Sequence, residues 1–550
     1  LKYFISDTKK LPNKFGKWYW YADDECNVRT DKNNLIIYGG YTIGRDIEEI
    51  VSTDPKSLEN ANGTFWAVIL TKDSAQVILD YFCQTKMFYR NKGGIEFTNA
   101  IYLFPFEKHD IDLPYIMEMF KALPKEKMNY EPSENFEPWQ NMVTSASEAH
   151  ALIGAQKKSE QLQKYYVGGK FYREGKEYFD IRQYSKVRCA TVFKDTWLLE
   201  PNHTFKVTDN KITIERIHSS YKDTLSALNT AVKFHAHDEL EDYIHECMKD
   251  HAHIVQTKYK NIVSSVSEGI DSVLQDAYFP NALAVMYSYV PTNAPFEHKE
   301  KIAEKIRKSG RSIKIDHIDV SSPNIVKMTK ESVNDPSTFY WDCLPSFWQI
   351  KQLDVKPDVI LYGQGGDQIF LHKSNYFYEY MFGLQIPKKI SAENKLIEFN
   401  KTLHDLENCY SSRDNIWQED TAKTWQDCFV GKGEQEVKTK IDNPKYDWKD
   451  QFAKEGSPPY NREISHNTDT LVTSLFADKR IYHSVINSAE HIMIDNMKNA
   501  ATQKNILRRK FHTDFDTPFK DRAEINAIAM RDPLFKDVVH NCLRDNLPKA

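Results

Sequence analysis

The chain has 550 residues, 41% of them hydrophobic and 27% charged, a balance that fits a soluble globular chain and argues against disorder. At roughly 100–200 residues per domain, it calls for about two to four cores. Against 78 acidic residues stand 73 basic ones; the net charge of −5 leaves no bulk excess to hold nucleic acid or a membrane surface non-specifically.

The first hundred residues carry strand signals. Stretches 35–43 (LIIYGGYTI), 64–71 (TFWAVILT) and 75–82 (AQVILDYF) are β-branched and aromatic, and 92–104 reads as a hairpin turn followed by a strand. Residues 105–135 mix proline with a helical stretch, and 144–165 reads as a helix inside a polar insertion near 130–190. From residue 260 strands and helices alternate: strand 261–267 and a helix, strand 282–290, helix 298–310 ended by Gly310, then strands 312–320 and 358–363. That alternation predicts a parallel sheet with crossover helices. Residues 411–466 are charged and poor in apolar periodicity, as a surface insertion would be. Arg508-Arg509-Lys510 reads as a solvated helix face.

The cysteines (Cys26, Cys83, Cys189, Cys247, Cys343, Cys409, Cys428 and Cys542) form no C-x-x-C pair, so zinc-finger and thioredoxin readings lack support. The opening LKYFISDTKK has no apolar leader core, and no run of 18 apolar residues occurs. A reducing cytoplasm is the expected compartment, and the acceptor pattern Asn202-His203-Thr204 then carries no weight.

The most informative stretch is Ser267-Glu268-Gly269-Ile270-Asp271-Ser272, between an apolar strand and a helix. Backbone N–H groups at such a junction point outward and cradle phosphate, serine hydroxyls add donors, and an aspartate can hold Mg²⁺ that bridges phosphates. An ordinary Ser/Asp helix cap would show the same residues. A second stretch, Gly363-Gln364-Gly365-Gly366-Asp367-Gln368-Ile369-Phe370, follows strand DVILYG. In an open parallel sheet both loops would lie at carboxyl ends of strands, where ligands bind.

The first stretch resembles the S-G-G-x-D-S PP-loop of ATP pyrophosphatases, and the second the G-E-G-x-D-E-x-F signature of the asparagine synthetase family. AVMYSYV resembles the family strand whose backbone contacts adenine, which implicates Val285, Met286 and Ser288. QKNILRRKF resembles its K-x-x-L-R helix, which makes Lys504 the cation expected to stabilise charge on an adenylate or tetrahedral intermediate. Three N-terminal features agree: Gly63-Thr64-Phe65-Trp66-Ala67-Val68 with a G-x-F-A-F-A strand, the stretch Asp80 to Tyr89 with R-D-x-x-G-x-x-P-L-Y, and Leu199 to His203 with an L-x-P-G-H turn. The resemblance spans roughly 1–125, 190–405 and 465–530.

It implies two folds. Residues 1–205 would form an N-terminal-nucleophile-hydrolase-like αββα sandwich, and 206–550 an α/β ATP-pyrophosphatase domain. Asp271 and Asp367 would share Mg²⁺. Ser267, Gly269, Ile270, Asp271, Ser272 and Gly363 would bind ATP and pyrophosphate.

Several positions depart from the pattern. Leu1 stands where the family has its nucleophilic cysteine, Leu79 replaces the arginine of R-D, and Cys83 its glycine, so glutamine hydrolysis is not expected. Glu268 replaces a loop glycine and Gln364 the catalytic-loop glutamate; one carboxylate is lost and one gained in facing loops, which makes Glu268 a substitute base. Gln368 and Leu371-His372 replace a Glu and a Gly-Gly, which implies an altered acceptor pocket.

The expected activity is ATP-dependent amide formation on aspartate or a related carboxylate, with ammonia or an internal amine, in a homodimer. The alternatives are a non-catalytic nucleotide-binding regulator or scaffold, and a PP-loop enzyme modifying tRNA, which would want a basic surface.

Overall fold

A computed structural model describes residues 1–82, 84–106, 166–167, 170–173, 176–180, 193, 196–199, 203–216, 233–290, 296–319, 322–332, 343–370 and 458–513. Residues 107–135 and 144–165, where helices are expected, residues 411–457 of the expected insertion, Cys83 and Leu371-His372 lie outside these residues; the end of that insertion, 458–466, is instead part of a helix whose Asn461 and Ile464 are buried.

Strands β1 (Tyr3–Ser6), β2 (Asn13–Phe15), β3 (Trp18–Ala22), β4 (Asn27–Thr30), β5 (Leu35–Ile43), β6 (Asn62–Leu70), β7 (Ala75–Leu79), β8 (Phe88–Asn91) and β9 (Ile95–Thr98) come first. A separate three-stranded sheet holds β10 (Tyr166–Val167), β11 (Lys170–Arg173) and β12 (Lys176–Asp180). Then follow β13 (Thr196–Leu198), β14 (His203–Thr208) and β15 (Lys211–Arg216). Two six-stranded antiparallel sheets result, ordered β13-β8-β9-β1-β3-β2 and β15-β14-β7-β6-β5-β4.

Period-two alternation decides which side chains meet. Leu35, Ile37, Trp66, Val68 and Leu70 join Tyr3, Ile5, Trp18 and Phe97 between the sheets. Their alternates Ile36, Tyr38, Phe65, Ala67 and Ile69 face outward onto helix α1 (Ile47–Thr53) and the 3-10 turn Pro55–Asn60, which bury them with Ile47, Ile50 and Leu58. The hairpin β14–β15 pairs with β7, so the antiparallel half runs on to Arg216 rather than stopping at residue 205. The strand expected over 92–104 is shorter: β9 ends at Thr98, and Ile101–Leu103 form a 3-10 turn.

The second half opens with α2 (His237–Lys258), a long helix that went unread in the sequence. After it come β16 (Ile262–Ser265), α3 (Ile270–Ala277), β17 (Leu283–Val290), α4 (Phe296–Lys308), β18 (Ile313–Asp319), α5 (Ser322–Ser332), α6 (Leu344–Lys351), β19 (Val359–Tyr362) and α7 (Gly366–Ile369). The described chain closes with α8 (Pro458–Thr468), β20 (Leu471–Thr473), α9 (Lys479–Ile486), α10 (Glu490–Asn499) and α11 (Ala501–Phe511). The sheet is wholly parallel, in the order β18-β17-β16-β19-β20. Parallel strands covered on both faces should be apolar; β19 (VILY) and most of β17 (LAVMYSYV) are, whereas β16 (IVSS) ends in two serines and the edge strand β18 (IKIDHID) alternates with polar residues. Val359, Leu361 and Leu471 pack against α2, α3, α9 and α11. Ile360 and Val472 pack on the other face with Phe347, Ile464 and the sandwich residues Phe4 and Phe88. Among the described residues no helix is long and apolar enough to cross a membrane.

A buried polar seam joins the halves. Tyr41 Oη lies 2.6 Å from His251 Nε2 and 2.7 Å from Thr473 Oγ1, which is 2.7 Å from Thr64 Oγ1. Gln84 donates to Thr64 Oγ1 (3.2 Å) and accepts from Asn461 (2.7 Å). Burial pushes the His251 imidazole down from 6.5 to about 4, although the Asp478 carboxylate 3.8 Å from Nδ1 works the other way. Below pH 6.5 the unfolded chain therefore binds a proton that the folded ring refuses until about 4, so stability falls as pH drops through this window. Urea unfolding at pH 7 and pH 4.5 measures the effect: His251→Gln should lose roughly 2–3 kcal/mol less than the parent between these pH values. Equal losses would contradict it.

Candidate functional site

In the sheet order, β16 is the first strand laid down; β17 and β18 add on one side, β19 and β20 on the other. The topological switch point thus lies between β16 and β19, where the crossovers leave in opposite directions and open a crevice. Ser265 pairs with Tyr362, so the two strands end level and their following loops emerge side by side. These are the loops 266–270 and 363–365, one from each sequence motif.

Glycine makes their contact possible. A Cβ at Gly363 would lie 2.9 Å from Ser272 Cα and N, and one at Gly366 would lie 2.4 Å from Asp271 Cγ and Oδ1. Gly365 takes φ +98°, a left-handed conformation that penalises other residues. The carboxylate of Asp271 therefore sits against the backbone of the second loop, one residue before Asp367, whose side chain lies outside the described atoms. From the other side Gln503 Nε2 of α11 donates to Asp271 Oδ1 at 3.4 Å.

The first loop is built from its serines. Ser267 N–H donates to Ser272 Oγ (2.9 Å), Gly269 N–H to Ser267 Oγ (3.1 Å), and Ser272 Oγ lies 2.9 Å from Gly269 O. These hydroxyls shape the turn from within, a role that was not expected of groups read as phosphate donors. Gly269, in extended conformation, is the N-cap of α3 and has no side-chain cap bond, so the helix start presents its N–H groups toward the crevice.

The crevice is a cleft of about 220 Å³. Ser267, Glu268, Gly269, Asp271, Ser272, Gly363 and Gln364 line it, while Ile270 turns into the core beneath. Val285, Met286 and Ser288 are buried in β17 and are not among its lining residues; Tyr287 and Tyr289 of that strand are. The Met286 carbonyl already accepts from Gln349 at 2.7 Å. Lys504 is exposed on α11 and lines no part of the cleft, whereas its neighbour Gln503 is buried beneath Asp271. Burial raises the phenol pKa values of Tyr287 and Tyr362, so both remain hydrogen-bonding phenols at neutral pH.

Lys299 is the residue that sequence reading missed. It lies in α4, is 4% exposed, and lines the cleft with Nζ 3.0 Å from Tyr287 O and 3.5 Å from Glu268 Oε1. A signal existed: Phe296, Lys299, Ala303 and Ile306 recur at helical spacing, which puts this lysine on the apolar stripe. Arg508 and Arg509 are exposed, as a solvated face would be, and Arg509 also pairs with Glu241 and Asp242 of α2; Lys510, half-buried, pairs with Asp242.

Among the described residues no cluster of three or more His, Cys, Asp or Glu could hold a metal unaided. A magnesium ion bridging phosphates asks less of a protein, usually one or two carboxylates with waters and phosphate oxygens completing the shell. Asp271, held between Gln503 and the Gly366 backbone at the cleft, fits that demand. No protein-family model matches the chain, and no curated protein matches it.

Proposed function

We propose that the chain is an asparagine-synthetase-like, ATP-dependent carbon–nitrogen ligase that activates a carboxylate as its adenylate. In this reading a substrate carboxylate oxygen attacks the α-phosphorus of ATP and pyrophosphate leaves. Ammonia or an internal amine then attacks the acyl carbon, AMP leaves, and the amine gives up a proton. The observation that carries the reading is the meeting of two phosphate-type loops at the switch point, with the Asp271 carboxylate against Gly366. Mg²⁺, held by Asp271 with Asp367, would neutralise charge on the phosphates. The N–H groups at the start of α3 would cradle them. Tyr287, Tyr289 and Tyr362 would wall the acceptor side with phenol groups.

The finer fold assignments belong to the same proposal. The antiparallel sandwich with α1 on one outer face suits an N-terminal-nucleophile-hydrolase-like domain, and the β18-β17-β16-β19-β20 order suits an ATP-pyrophosphatase domain. Glutamine hydrolysis is left out: Leu79, standing where the family motif has arginine, is a core residue between the sheets and cannot clamp a substrate. A cytoplasmic homodimer acting on aspartate or a related acid completes the reading.

A second reading, a nucleotide-binding homologue without turnover, draws on one observation. Gln364 cannot take a proton, and Glu268, the only glutamate among the cleft's lining residues, faces Lys299. Incubation with ATP, Mg²⁺, aspartate and ammonia separates the two. Pyrophosphate together with asparagine supports the ligase on aspartate, and pyrophosphate alone shows that another product is made. Bound ATP with no pyrophosphate selects the second reading, and failure to bind ATP sinks both.

A further inference from the structure

An acidic side chain in a phosphate-binding loop is an electrostatic contradiction. At about 4 Å a carboxylate and a phosphate charge repel strongly even at an effective dielectric near 20. Glu268 is 7% exposed and lines the cleft, so water screens it poorly.

Lys299 is equally out of place. It occupies the fourth position of α4, at the end of a helix where the macrodipole disfavours a cation, whereas Lys305, Arg307 and Lys308 hold the favourable end. Burying its ammonium costs more still unless an anion and hydrogen-bond acceptors compensate. The structure supplies both: the Glu268 carboxylate at 3.5 Å and the Tyr287 carbonyl at 3.0 Å, with the Tyr289 ring 5.9 Å away. Each buried charge thus has the other within ion-pair distance.

We infer that Lys299 is the built-in counter-ion of Glu268, and that this pair is what lets an acidic loop accept a phosphate chain. Lys299 acts through Glu268 and is a positioning residue. Glu268, so paired, is a neutralised part of the cradle wall rather than a base. The inference rests on the nucleotide reading above and deepens it.

A double-mutant cycle on the full chain, Lys299→Met, Glu268→Gln and both together, tests it by ATP·Mg²⁺ titration calorimetry and by melting without nucleotide. Lys299→Met should weaken ATP about 100-fold or more, because it leaves the carboxylate uncompensated. Glu268→Gln should bind at least as tightly as the parent, and the double variant should return to within about tenfold of it. Without nucleotide, Lys299→Met should lower the melting temperature by several degrees, and the second substitution should recover most of that. A double variant that binds ATP as weakly as Lys299→Met would overturn the inference, since Lys299 would then serve the ligand directly. Unchanged binding in Lys299→Met would overturn it too. A parent chain that binds no ATP would defeat the nucleotide reading instead. The pair is then judged on melting alone, where additive shifts overturn it and recovery in the double variant upholds it.

Discussion

Replacing Gly366 with alanine is expected to weaken ATP·Mg²⁺ binding by about 100-fold or more while leaving the melting temperature almost unmoved. The added Cβ would fall 2.4 Å from Asp271 Cγ and Oδ1 and 2.9 Å from Asp271 Cβ. Something must shift, and the movable group is the short carboxylate, which would leave both Gln503 and the second loop. The fold pays little for that, because Gly366 opens α7 without a positive φ and alanine is the better helix former by about 1 kcal/mol. Local propensity and function thus pull in opposite directions at one residue. Gly363→Ala is the contrast: its Cβ would meet the backbone of Ser272, which cannot swing away, so stability should fall together with binding. Calorimetric titration beside thermal melting reads both variants. Gly366→Ala binding nucleotide as the parent does would remove Asp271 from the site.

How far the sequence could lead depended on whether a residue's neighbours in sequence were also its neighbours in space. The loops at 267–272 and 363–370 were legible because glycine, serine and aspartate punctuate an apolar strand locally, and the parallel sheet because strands alternate with helical stretches along the chain. The short strands β2 and β4 offered nothing to read. NKF and NVRT lie on sheet edges with mostly exposed side chains, and no buried face imposes a pattern there. Helix α2 was hidden by its charge, although Leu240, Ile244, Met248, Ala252 and Val255 recur every three or four residues. Its buried face also includes His251 and Glu241, polar types that blur the stripe. The resemblance to a family helix placed Lys504 at the site, but successive helix residues are rotated by about 100°, and it is Gln503 that meets Asp271. Lys299 could be placed on an apolar stripe, but its partner Glu268 arrives from another element, and no local pattern joins them.

The largest loss of stability should come from the seam between the halves, at Asp478. This carboxylate is fully buried and receives Asn62 Nδ2 from the sandwich at 2.9 Å, the Arg480 backbone N–H at 2.8 Å and Arg480 Nη2 at 2.8 Å. It is thus the N-cap of α9 and the tie between β6 and the parallel-sheet half at once. Burial alone would raise its pKa, yet the hydrogen bonds and charge of Arg480 hold the carboxyl below the usual range, so it stays ionised at neutral pH. Asp478→Ala would strand Asn62, uncap α9 and cost Arg480 its buried partner, leaving that cation the exposed Asp250 at 2.7 Å and the Cys247 carbonyl at 3.3 Å. Arg480 is 31% exposed and keeps Asp250, so no buried charge is stranded; the lost charged hydrogen bonds cost about 1.5–3 kcal/mol and the lost cap about 1 more. Asp478→Asn keeps an oxygen for the cap but no charge for Arg480, so its loss should fall between parent and alanine variant. Denaturant unfolding at pH 7 decides the matter. A loss below about 1 kcal/mol for the alanine variant would mean that the apolar contacts of Tyr41, Tyr81 and Phe82 hold the halves together without the ion pair.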